Sequence, residues 1–142
     1  MSTYRTLNDV SSYRSAFPLD RAAYMVSAAL ADGGGTFDAA TGRRAHLTIG
    51  FMVGGIPAGS VHTLATVDRS AQIDAVRILI RTAEAMRGSS VGIFVGAWLP
   101  GDGTIVWELS ENEPYRTSAI ANGMARGEIA IWDIANNAEI VL

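Results

Sequence analysis

The chain has 142 residues, of which 49% are hydrophobic and 18% charged, with a formal net charge of -3 and no cysteine. That size suits one domain able to bury a core, and the composition belongs to a folded globule rather than a disordered tail. Disulfides, thiolate metal sites and cysteine nucleophiles are excluded, and because every basic residue is arginine, Schiff-base and P-loop lysine chemistry are excluded too.

Residues 1–17 lack periodicity and are expected to form an irregular N-terminal arm, with a single domain over 18–142. In "FPLDRAAYMVSAALADGGG", Ala22, Met25, Val26, Ala29 and Leu30 recur on one helical face. Asp20 suits the start of that helix and Gly33 its end. "GTFDAATGRRAHLTIGFMVGG" predicts two strands about a Thr41-Gly42 turn, with Leu47, Ile49, Phe51 and Val53 on one side of the second. A third strand is expected from about Ser60 to Val67.

"DRSAQIDAVRILIRTAEAMRG" gives the clearest helix. Asp68 or Ser70 caps its start and Gly88 ends it. Ile73, Val76, Leu79, Ile80, Ala83 and Met86 make its apolar stripe, opposite Asp74, Arg77, Arg81 and Glu84.

"VGIFVGAWLPGDGTIVWEL" then predicts a hairpin about Pro-Gly-Asp-Gly. A two- or four-residue loop places Phe94, Trp98, Ile105, Trp107 and Leu109 on one face, together with Gly92 and Gly96. Ile93, Val95, Ala97, Leu99 and Val106 then share the other face with Thr104 and Glu108. The aliphatic face suits the long helix. The aromatic face needs a helix, a second copy or a ligand.

"SENEPYRTSAIANGMARG" predicts a short helix with a Ser110/Glu113 capping box, Pro114 in the first turn and Gly127 at the end. Two short strands about Asn136-Asn137 complete the chain. The fold class expected is α+β: a largely antiparallel sheet of about five to seven strands with two or three helices, one long helix packed on one face.

Chemical motifs are few. His46 and His62 fall on different predicted strands, without HxH, HxxxH or HExxH spacing, so no metal site is expected. The glycine runs follow neither the G-x-G-x-x-G nor the Walker pattern, and there is no G-x-S-x-G. No catalytic residues and no cofactor are assigned. The acids Glu108, Glu111 and Glu113 cluster after the hairpin in the manner of solvated turn residues. Arg43, Arg44 and Arg116 are the candidate anion contacts, with His46 beside the first two. Together with Phe94, Trp98 and Trp107 they form the candidate ligand or partner site.

Three stretches, "GGGTFD", "VGIFVGAWLPGDGTIVWEL" and "GEIAIWDIANNAEIVL", resemble small uncharacterised proteins of actinobacteria and their phages, prophages or plasmids. The likeness spans about the last hundred residues. "VWEL" departs from it where an acidic "YLD"-like ending is more usual. The resemblance implies a small intracellular accessory protein of mobile-element origin, and brings no activity with it.

The leading expectation is therefore a non-enzymatic, cytoplasmic accessory protein that forms a homo-oligomer and binds a protein partner. The alternative is a binder of a nucleotide or other anionic metabolite through tryptophan and arginine. An enzyme built on His46 or His62 ranks last. With no run of about 18 apolar residues and no basic cluster, neither a membrane span nor general nucleic-acid binding is expected.

Overall fold

A computed structural model describes residues 18–56, 61–87 and 92–142, with side chains from Arg21 onward. The expected arm over 1–17, the start of the third strand at Ser60 and the closing Gly88 lie outside these residues, as does the Asp20 side chain. The described elements run α1 (Pro18–Asp32), β1 (Gly34–Asp38), β2 (Phe51–Val53), β3 (His62–Ala65), α2 (Arg69–Arg87), β4 (Ile93–Trp98), β5 (Thr104–Glu113), α3 (Arg116–Ala125), β6 (Ala130–Asp133) and β7 (Ala138–Val141).

The seven strands form one antiparallel sheet in the order β1-β4-β5-β2-β6-β7, with β3 also on β5. The ten-residue β5 organises it. One edge pairs with β4 over Val106–Glu111. The other carries β3 on Thr104–Trp107 and β2 on Glu111–Glu113, which leaves a gap at 108–110.

Paired residues share a face, so the ladders sort the side chains. Ile93, Val95 and Ala97 of β4 lie with Ile105, Trp107 and Leu109 of β5, all buried against α1 and α2. Phe51, Val53 and Ile131 continue the same face under α3, where Ala119 packs. Among the described residues all three helices therefore cover one side of the sheet.

The helices form as their periodicity predicts. Ala22, Met25, Val26 and Ala29 of α1 and Val76, Leu79, Ile80 and Ala83 of α2 are fully buried. Ile78, outside the stripe, is exposed, and so is Met86 at the stripe's end. Asp68 caps α2, its Oδ1 accepting the Ala71 N–H at 3.0 Å. Gly33 follows α1 at φ +77°. Gly127, at φ +73°, ends α3 in a Schellman arrangement: its N–H bonds to Met124 O and that of Glu128 to Gly123 O.

Two buried polar residues tie the layers together. Gln72 donates to the carbonyls of Ala65 and Thr66, each at 3.1 Å, and accepts the Trp107 indole N–H at 3.3 Å. Trp107 stacks beside Phe37 with ring centroids 6.4 Å apart. Arg21 of α1 donates to the carbonyls of Ala39 and Ala40 at 2.8 and 2.7 Å, and pairs with Glu84 of α2 at 3.7 Å. It thereby clamps the Thr41-Gly42 turn against α1.

Three expectations are corrected. The hairpin pairs Trp98 with Val106 and Ala97 with Trp107, so an odd number of residues separates each opposed pair. One residue of register exchanges the faces: Ile105, Trp107 and Leu109 join the aliphatic side, while Phe94 and Trp98 stay on the other with Val106 and Glu108. The expected strand over His46–Val53 shrinks to Phe51–Val53. The chain touches β1 only at the Phe37–Arg44 bridge, then turns at Gly50 (φ +87°) and joins β5 on its far side. Ile49 on this crossing is exposed. The Ser110/Glu113 capping box does not form, because strand pairing holds both residues in β5 and α3 starts at Arg116. Pro114 consequently precedes the helix.

Candidate functional site

The side of the sheet away from the helices carries Thr36, Phe94, Gly96, Trp98, Val106, Glu108, Ser110, Met52 and Trp132. It forms an open cavity of about 610 Å³. Trp98 of β4 and Trp132 of β6 stand at its two ends, three strand spacings apart across the sheet and, since Trp98 faces Val106 while Trp132 lies level with Asn112 through Met52, six residues of β5 apart along it. Met52, Val61, Val106 and Ile129 supply further apolar surface. Both tryptophans are about half-exposed, at 51% and 42%.

The gap on β5 makes the polar part. Where neither β2 nor β3 pairs, the Glu108 carboxylate accepts the Gly55 N–H at 3.0 Å. Gly55 has φ +77°, a conformation few other residues adopt. A methyl group on Gly54 would overlap Glu108 Oε1 and lie 2.8 Å from Glu128 Oε1. The glycine pair is thus the space in which the two carboxylates meet, their oxygens within about 5 Å of each other. Burial first, then the neighbouring Glu128 charge, pushes the Glu108 carboxyl above its ordinary value; the Gly55 N–H and the Trp98 indole oppose this. Burial also raises Glu128, with Arg126 acting against it. The Arg126 guanidinium is held at 2.6 Å by Glu111 and near the carbonyls of Val53 and Gly54. A carboxyl pair so placed can offer both a hydrogen-bond donor and several acceptors.

Among the candidate residues, only Trp98 lines this cavity. Phe94 lies on the same face, half-buried beside Ser110. Trp107 is fully buried under the helices. Arg44 pairs with Asp32 at 2.5 Å, donates to Ala28 O at 3.0 Å and covers the Phe37 ring at 4.9 Å. Arg43 sits in the turn after β1, and Arg116 opens α3, where its charge helps hold Asp133 below the usual carboxylate range after the larger effect of the Asn136 hydrogen bond. His46 is exposed next to Ala45, whose N–H bonds to β1 at Thr36. His62 lies on β3, with β4 and β5 between it and β1, so the two histidines do not meet. Among the described residues no three metal-ligating side chains gather, and no helix is long and apolar enough to cross a membrane.

Glu108, Glu128, Glu139 and Trp132 are cavity residues that the sequence does not single out; Glu108, expected as a solvated turn residue, is instead held within β5 and largely buried against Gly55. The alternation in "AIWD" gives a signal for Trp132, since a buried Ile131 turns its neighbour outward. No spacing rule links Glu108 to Glu128. Compared with family models, curated proteins and solved structures, the chain matches none.

Proposed function

We propose that the chain is a binding protein whose ligand seat is the helix-free concave face of its sheet. One observation carries this reading. Gly96 stands mid-strand on the cavity floor, between Phe94 and Trp98, yet neither its backbone nor its packing requires glycine: φ is not in the left-handed region, and an added Cβ would meet nothing closer than 3.8 Å. A glycine inside a strand costs about 0.5–1 kcal/mol, and marks places where another group comes close. The cavity volume is that of a small-molecule site, and its aromatic walls with a few polar groups have the usual chemistry of one.

The test is a thermal-shift screen of the full chain with neutral, cationic and anionic small molecules, run in parallel on Gly96→Leu. The variant should fold with an unchanged or raised Tm, because its side chain enters open space. Molecules that stabilise the native chain but not Gly96→Leu support the reading. A screen in which none acts, or in which all act equally on both proteins, overturns it.

A second reading, association of copies, rests on a separate observation. Among the described residues the edge strand β7 pairs only with β6, and Val141 and Ile129 beside it are 70% and 85% exposed. Such an edge, lacking lysine or proline, invites another strand. Light scattering should show a dimer that Val141→Lys dissociates; a monomeric native chain rules this out.

A further inference from the structure

Resting on that reading of the open face, we infer that the cavity takes a small organic cation: an aliphatic chain ending in an ammonium or guanidinium group. Three observations lead there. The cavity is lined by the carboxylates of Glu108, Glu128 and Glu139, and by no arginine or histidine among the described residues. The Arg126 guanidinium is hydrogen-bonded to Glu111 and two backbone carbonyls, and its charge only partly offsets the burial of Glu128. Two tryptophan rings flank the carboxylates, and indole is the aromatic ring that best attracts a cation.

The physical balance favours the same class. Glu108 and Glu128 lie close together, Glu108 mostly buried and Glu128 more open, and burial raises both above the ordinary carboxylate range. A positive group between them would replace mutual repulsion by attraction on both sides. The apolar surface of Val106 and the Trp98 indole would cover the carbon chain. A bare metal ion would leave those walls unused, and an anion would meet like charge. The orientation follows from the layout: the charged end at Glu108 and Glu128 beside Gly54-Gly55, the aliphatic part over Gly96 and Trp98.

Three six-carbon probes that differ only in their ends test the idea: 1,6-diaminohexane, 1,6-hexanediol and adipate, titrated calorimetrically into the full chain. The diamine should bind about tenfold or more tighter than the diol, as one desolvated cation–π contact alone allows, and adipate should give no binding. Glu108→Gln and Glu128→Gln keep the size of the side chain and an acceptor for the Gly55 N–H. Each should weaken the diamine by about threefold to tenfold while leaving the diol unchanged. Equal affinity for diamine and diol, or an unchanged diamine affinity in both variants, overturns the cation assignment and leaves the binding reading standing. Absence of diamine binding also overturns the assignment, and the Gly96→Leu screen then decides the binding reading independently.

Discussion

Neutralising Glu108 and Glu128, singly and together, measures what the cavity costs the fold. Their oxygens lie within about 5 Å, so two full charges repel by about 3 kcal/mol at an effective dielectric near 20, and by about 1 kcal/mol in water-like surroundings. Glu128 is the more open of the two, which places the interaction near about 1 kcal/mol. The sign follows from linkage. Both carboxyls are raised in the native state, chiefly by burial, so the native chain keeps its protons to higher pH than the unfolded chain does. Stability is unaffected below the ordinary carboxylate pKa and falls as pH rises from there through the raised native values. Glutamine removes that loss. At pH 7.5 Glu108→Gln and Glu128→Gln should each be more stable than the native chain in urea unfolding. The double variant should gain less than the two single gains combined, the shortfall being about 1 kcal/mol. At pH 4 the gains should shrink toward zero. Single gains that simply add at pH 7.5, or glutamine variants that gain at pH 4 and not at pH 7.5, would refute the proposed repulsion.

Two further substitutions probe how the site is supported. Gln72→Leu strands the Trp107 indole N–H and removes the donor to Ala65 and Thr66, so urea unfolding should show a loss of about 3 kcal/mol; a loss under about 1 kcal/mol would show that these bonds are dispensable. Gly123→Ala puts a methyl group 2.7 Å from Leu142 Cδ1 and 2.9 Å from Ile131 Cγ2. Overpacking by about 1–3 kcal/mol should outweigh the gain of about 1 kcal/mol from helix propensity, giving a lower Tm; a higher Tm would mean that α3 can move away from β6.

What was legible in the sequence was what local chemistry decides. The stripe of α2, the Asp68 cap, the glycine ends of α1 and α3, and the left-handed Asn137 at φ +50° all follow from neighbours within a few residues. The α+β class with an antiparallel sheet followed from the same local patterns. The hairpin faces failed on a single residue. Pro100, Gly101, Asp102 and Gly103 suit several turns, and an even or an odd loop exchanges every side chain between core and open face. Trp107 therefore moved into the core, where Gln72 satisfies its indole, and Trp98 remained outside. Nor could local rules see that the chain after Arg44 would leave β1 and cross to the far side of β5. That crossing creates the gap into which Glu108 turns, and it brings Gly54-Gly55 beside Glu128 from the other end of α3. The arginines suggested an anion; Arg44 is instead engaged with α1 and Arg116 lies on α3, while the open face collects carboxylates.

The three indole N–H groups provide separate reporters of the two sides of the sheet. Trp98 and Trp132 line the cavity, and Trp107 is sealed beneath the helices with its N–H on Gln72. Titrating 1,6-diaminohexane into the ¹⁵N-labelled full chain should shift the indole resonance of Trp98 along a saturable curve and leave that of Trp107 in place. Saturable shifts confined to Trp107, or no shift at Trp98, would contradict the assignment of the open face as the binding site.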